Sequence, residues 1–256
     1  MGELIVVNYK KLSIASLLLL SVILIFQYTN VSTSVSAFFS NKPIDIKLHG
    51  SHEVFDYNGL VERAQVIALV QVNDSLSKNN STIQYIDNSP MIKYHYATRD
   101  VQVIEYYKNE LGLGSTIEFN EPAAITLNNE YLHSEEYDAL EKGKSYIVYL
   151  SNDNGLNELS IISHNNGVVY LDEFDHNEYK DVAVKSVLLA NQIELPKDAA
   201  IEFSSSENIA FNSKQQEISE AKNKHLNISI NKYFNEGTKM EYYNVGGIEF
   251  SINENQ

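Results

Sequence analysis

The first apolar stretch of the chain differs from all the others. Residues 12–28 carry no charge, and Leu17, Leu18, Leu19 and Leu20 run into Val22, Ile23, Leu24, Ile25 and Phe26. A segment apolar on every side of a helix belongs in a membrane or an export signal, since a surface helix shows one apolar stripe. At ~1.5 Å per residue it spans roughly 26 Å, slightly short of the ~30 Å hydrocarbon core and long for a signal-peptide core. Lys10 and Lys11 precede it, which predicts a cytoplasmic N-terminus with the rest of the chain outside. Val35, Ser36 and Ala37 supply a small-residue cleavage pattern, but residues 27–37 form a long polar gap before it, so an uncleaved anchor is preferred to a cleaved signal.

Beyond that run the pattern changes to short apolar segments divided by turn residues. Residues 38–58 read as an irregular lead-in and 57–64 as a short helix. Residues 65–72, rich in Val and Ile, predict a buried strand. The Ser- and Asn-rich stretch 73–90 predicts a loop. Residues 93–108 alternate as one long strand, Gly112 and Gly114 mark a turn, and 115–120 predict a further strand ended by Pro122, with a short edge strand at Ile125 and Leu127. Residues 140–144 form a turn before the apolar strand 145–150, and Asn152, Asp153, Asn154 and Gly155 a hairpin-type turn. Residues 159–163 and 167–172 are predicted to pair across Asn165, Asn166 and Gly167. Residues 181–191 fit either a helix or a strand. Such strand spacing predicts a small barrel or sandwich.

After Pro196 the character shifts again. Ser204, Ser205 and Ser206 are linker-like. Residues 214–236 predict a helix with Leu226, Ile230, Tyr233 and Phe234 on one side and Gly237 as its cap. Residues 240–245 and 248–252, split by Gly246 and Gly247, predict a hairpin. The organisation is then a signal anchor or signal peptide (1–37), a lead-in (38–63), a β-barrel domain (64–194) and a C-terminal α+β appendage (195–256).

The segment 64–171 resembles the netrin-like, tissue-inhibitor-of-metalloproteinase-like form of the five-stranded OB barrel found in exported bacterial proteins. The resemblance is carried by Ala64, Ile67 and Val70, by Val103, Ile104, Glu105, Tyr106, Tyr107 and Lys108, and by Gly114, Ser115, Thr116 and Ile117. Leu140 with Gly143, then Tyr146, Ile147, Val148, Tyr149 and Leu150, and finally Gly167, Val168 and Val169 complete it. These are core and turn positions, so the resemblance implies a mainly β chain with an OB-type barrel and a binding surface, and no particular activity. The animal inhibitors act through a cysteine-bearing mature N-terminus; this chain has no cysteine, so protease inhibition does not transfer.

Composition narrows the partners. A net charge of −15 repels nucleic acid and anionic membrane surfaces. With no cysteine there is no disulfide staple, and the Asn, Ile and Lys bias points to a Gram-positive bacterium. The chain lacks a zinc-peptidase His-Glu-x-x-His, a Gly-rich phosphate loop and a Gly-x-Ser-x-Gly elbow. Aligning Gly155 with the glycine of a calcium loop puts Leu150 and Ile161 where carboxylates belong, so that match fails. Ser75 and Lys78 match Ser-x-x-Lys, but in a loop and without partner motifs. The candidate metal ligands are His49, His52 and Glu53, and Asp172 and Asp175 in the acidic turn, which would suit zinc or calcium. Candidate binding residues come from the 17 tyrosines: Tyr94, Tyr96, Tyr106 and Tyr107 gather on the long strand. The function expected is a non-catalytic, surface-exposed binding module for a protein or cell-envelope component. An exported metal-dependent hydrolase and a self-associating structural envelope protein are the alternatives.

Overall fold

The computed structural model describes residues 42–49, 53–134, 137–155, 157–174, 177–194, 200–203, 221–222, 226–235 and 239–253. The apolar run 12–28 and Ala37 lie outside them, and no helix among the described residues is long and apolar enough to cross a membrane. In chain order the elements are β1 (Ile44–Leu48), α1 (Tyr57–Arg63), β2 (Val66–Val72), β3 (Ser81–Tyr85), β4 (Ile92–Asn109), β5 (Thr116–Glu121), β6 (Ala123–Ile125), β7 (Glu130–Ser134), β8 (Ser145–Ser151), β9 (Ser160–Ile161), β10 (Val168–Tyr170), α2 (Lys180–Ala190), β11 (Ala200–Phe203), β12 (Ala221–Lys222), β13 (Ser229–Asn235), β14 (Met240–Val245) and β15 (Ile248–Asn253).

The fold is mainly β and is built on a closed five-stranded barrel. Around the ring β8 pairs β2, β2 pairs β4, β4 pairs β5, β5 pairs β9, and β9 returns to β8. Numbered along the chain, the barrel strands follow one another as first, second, third, fifth, fourth and back to the first. Every pairing is antiparallel except that of β5 with β9, which is parallel through Asn120 and Ser160. Closure removes the free edges that an open sheet would present. Two β-bulges on β4, at Ile104 and Tyr107, occur where the β2 register jumps between Ile67 and Ala68 and between Leu69 and Val70. Bulges bend a strand and sharpen its twist, which lets one 18-residue strand follow the barrel wall.

The absence of alternation in β2 has a direct structural cause. Val66, Ala68, Val70 and Val72 fill the barrel with Val101, Val103, Ile117, Phe119, Val148 and Leu150. Ile67 and Leu69 point outward into a second apolar layer with Leu60, Ile147, Tyr149, Val184, Val187 and Leu188. A strand buried on both faces has no reason to carry polar residues on either. The short helix α1 is started by Asp56, whose Oδ1 accepts from the Gly59 N–H at 2.8 Å. In α2 seven of the eleven residues are buried, Ser186 included: its hydroxyl donates to the Val182 carbonyl and lies 2.6 Å from the Tyr149 hydroxyl.

Residues 181–191, open between two readings in the sequence, are therefore helical. The predicted helix over 214–236 is overturned: of its described residues 221–222 and 229–235 are strands, while 214–220 and Gly237 lie outside the described residues. Leu226, Ile228 and Ile230 satisfy a period of two as well as Leu226 and Ile230 satisfy a period near four. The partner strands decide, because the hairpin β14–β15 offers β13 a full ladder and Val245, Ile248 and Phe250 join the same apolar layer as α2. The hairpin itself is as predicted, turning at Gly246 and Gly247, both with positive φ. The stretch 73–90 holds a strand, β3, and the lead-in holds β1. Residues 159–163 and 167–172 do not pair with each other; β9 and β10 each pair β8, and His164–Gly167 is a 3₁₀ turn between them.

Candidate binding face

The N-terminal third of β4 extends past the barrel and pairs with β3, Thr82 opposite Tyr96 and Gln84 opposite Tyr94. Side chains two residues apart on a strand share a face, so Tyr94, Tyr96 and Thr98 lie on one side with Thr82 and Gln84. The opposite side, carrying Ser81, His95 and Ala97, is covered by β6: the Ile125 N–H donates to Ser81 Oγ at 2.8 Å. Burial, the largest influence, lowers the His95 pKa.

On the side away from β6 the half-buried Tyr94 and Tyr96 rings are nearly parallel, 6.1 Å between centroids and 18° between planes. A hydrogen-bonded row continues from them across the barrel wall. Thr98 Oγ1 donates to Asn120 Oδ1 at 2.9 Å, and Asn120 Nδ2 donates to Glu158 Oε2 at 2.7 Å. The Tyr96 hydroxyl faces Thr82 and Glu158; its pKa is raised by burial first and by Glu158 next, against the lowering by Thr82. Glu158 is held by the loop between β8 and β9, where Asn154 Nδ2 donates to the Glu158 carbonyl at 2.7 Å and to Ser160 Oγ at 2.8 Å. The face thus combines two aromatic rings with hydroxyl, amide and carboxylate groups on rigid strands, an arrangement suited to surface contact.

The loop before β3 is tied down from below. Asn80 accepts from the Ser77 N–H at 2.8 Å and donates to Asp74 Oδ2 at 2.7 Å. Asp74 Oδ1 accepts in turn from Arg99 Nε at 3.0 Å. Arg99 is fully buried at the barrel's end, where it also donates to the Glu121 carboxylate, to the Leu140 carbonyl at 2.9 Å and to the Asp74 carbonyl at 2.8 Å. Glu121 accepts from the Leu140 N–H at 2.9 Å and from the Tyr137 hydroxyl at 3.1 Å. Burial lowers the Arg99 pKa, but Glu121 and Asp74 outweigh it and hold the guanidinium above its ordinary value. Burial pushes the Glu121 carboxyl up, against Arg99 and the two other donors.

Of the four tyrosines singled out in the sequence, the fold brings together Tyr94 and Tyr96 and separates the others. The Tyr106 hydroxyl donates to the Gly114 carbonyl at 2.6 Å and its ring packs against the barrel core. Tyr107 stands at a bulge and packs into the helix layer, where burial raises its pKa. Of the metal candidates, Glu53 lies 3.8 Å from Arg63, His49 follows β1, and Asp172 is exposed after β10. His52 and Asp175 lie outside the described residues. Among the described residues no group of three or more His, Asp or Glu could hold a metal ion.

Thr82, Thr98, Asn120 and Glu158 escape a sequence reading because they come from four segments. Arg99 and Glu121 did leave a signal: each occupies the inward-facing register of its strand, in line with Val101 and Val103 or with Ile117 and Phe119. A cavity of about 380 Å³ lies apart from this face, between β10 and the start of α2, lined among others by Asp138, Asn166, Tyr170, Glu173 and Glu178. No family model, curated protein or solved structure matches the chain.

Proposed function

We propose that the chain is a non-catalytic binding module of OB type, placed outside the cell by the run 12–28, that contacts a protein or cell-envelope component. The carrying observation is the half-buried Tyr94–Tyr96 pair on the face away from β6, continued by Thr98, Asn120 and Glu158. The strand order around the barrel, with its third and fifth strands parallel, supports the OB-type reading. In that architecture the face of the second and third strands, with the loops joining strands one to two and four to five, is the usual contact surface. Here those parts are β4, β5, the segment holding β3 and the loop holding Glu158. The netrin-like resemblance and the surface location belong to this proposal.

The test is a crosslinked pull-down from native envelope extract with the wild-type chain and a Tyr94→Ala/Tyr96→Ala variant. Aromatic anchors at interface centres cost about 2 kcal/mol or more each on truncation, so the variant should retain less than about a tenth of the partner. Equal recovery by both chains would exclude this face.

A further inference from the structure

We propose that the free edge of β3 is a homodimer interface, on which a second copy of the chain adds its own β3 antiparallel across a two-fold axis at Ile83. Among the described residues β3 pairs with β4 alone, so its other edge is open there. Ile86 N donates to the Met91 carbonyl and Thr98 N to the Asn80 carbonyl, each at 2.9 Å. Even-numbered residues therefore turn their main-chain groups toward β4, and Ser81, Ile83 and Tyr85 turn theirs outward. Edge strands are ordinarily blunted by charge or proline. Residues 79–86 contain neither, in a chain of net charge −15.

Self-complementarity selects a second copy as the occupant. With Ile83 opposite Ile83, Tyr85 of the second copy falls opposite Ser81 on the same face. That face of Ser81 is where the end of β6 and the segment after it lie: Ile125 N donates to Ser81 Oγ at 2.8 Å, and Lys78 Nζ donates to the Leu127 carbonyl at 3.0 Å. Leu127 is 88% exposed and Tyr85 49% exposed, among the largest uncovered apolar side chains of the described residues. The two-fold axis brings each beside the other. It also sets Lys78 of one copy diagonal to Asp87 of the other, at both ends of the pairing. Directly opposed, hydrogen-bonded residues have Cα atoms about 5.5 Å apart, within disulfide range.

The chain has no cysteine, so a single introduced thiol reports one position. The full chain in mild detergent should give a disulfide-linked dimer under mild oxidation when it carries Ile83→Cys, at least ten-fold faster than with Glu110→Cys. Glu110 is exposed just past the far end of β4. By light scattering the wild type should be dimeric; Ile83→Pro removes only the outward N–H, and Tyr85→Lys charges the edge. Either should give monomers with an unchanged circular dichroism spectrum. A monomeric wild type over a hundred-fold range of concentration would overturn the proposal. So would a dimer that crosslinks no faster at position 83 than at 110, or one that both edge variants leave intact.

Discussion

Replacing Arg99 by methionine should destabilise the domain by about 3–5 kcal/mol, the cost of removing one partner from a buried ion pair. The side chain fits the space along the aliphatic stem, so the loss is electrical more than steric. Arg99 and Glu121 are both fully buried, and removal of the guanidinium leaves the Glu121 carboxylate inside the barrel facing only Leu140 N–H and the Tyr137 hydroxyl. The Asp74 and Leu140 carbonyls lose their donor in the same step, and the loop that carries Asn80 loses its anchor. At about 2–4 °C per kcal/mol for a domain of this size, thermal unfolding should move down by roughly 10 °C. Adding Glu121→Met to Arg99→Met should raise the melting temperature again, because no naked carboxylate is then buried. A double variant less stable than Arg99→Met alone would show that the pair is not the source of the loss.

Gly167→Ala should be comparably damaging for a steric reason. A Cβ at this position would sit 1.9 Å from the Ile162 carbonyl oxygen and 3.1 Å from its carbon. Both atoms are backbone, so no side-chain rotation relieves the clash; the 3₁₀ turn itself must open. That turn delivers β10 to its ladder with β8, and it positions Asn166, whose Nδ2 donates to the Phe55 carbonyl ahead of α1. Ordinary overpacking costs about 1–3 kcal/mol, and a backbone collision that displaces an edge strand should reach about 3 kcal/mol or more. Gly114→Ala supplies the control, since its Cβ would meet nothing within 4 Å and its φ is not in the left-handed region. Equal melting temperatures for the two variants would refute the argument.

The long strand at 92–109 was legible because its apolar alternation runs over many residues, and Pro122 and the paired glycines 246 and 247 punctuated their elements as turn chemistry requires. The strand at 229–235 was not, since residues 226–230 fit both periods and the choice falls to the hydrogen bonds that β14 and β15 provide. Asn165, Asn166 and Gly167 carry the residues of a hairpin turn and yet do not join two paired strands. Gly167 is needed there for close approach to the Ile162 carbonyl. The candidate face was half legible. Tyr94 and Tyr96 stand two apart on a strand and share a face by geometry. Adjacent Tyr106 and Tyr107 part by the same alternation, but the bulge at Ile104, which no local pattern announces, turns Tyr106 toward the barrel core and away from the face of Tyr94 and Tyr96.

By itself the sequence determined the parts governed by neighbouring residues: strand periodicity, turn positions, the short helix at 57–64, the lack of disulfides and the strongly negative charge. Tertiary structure alone decided the closure of the barrel, the burial of β2 on both faces, the pairing of Arg99 with Glu121 and the meeting of Tyr96 with Glu158. Those depend on contacts between residues from 22 apart in the chain, as in Arg99 with Glu121, to 84 apart, as in Val66 with Leu150. Periodicity can say that a residue faces inward, but which group it meets there follows only from the register and closure of the whole barrel.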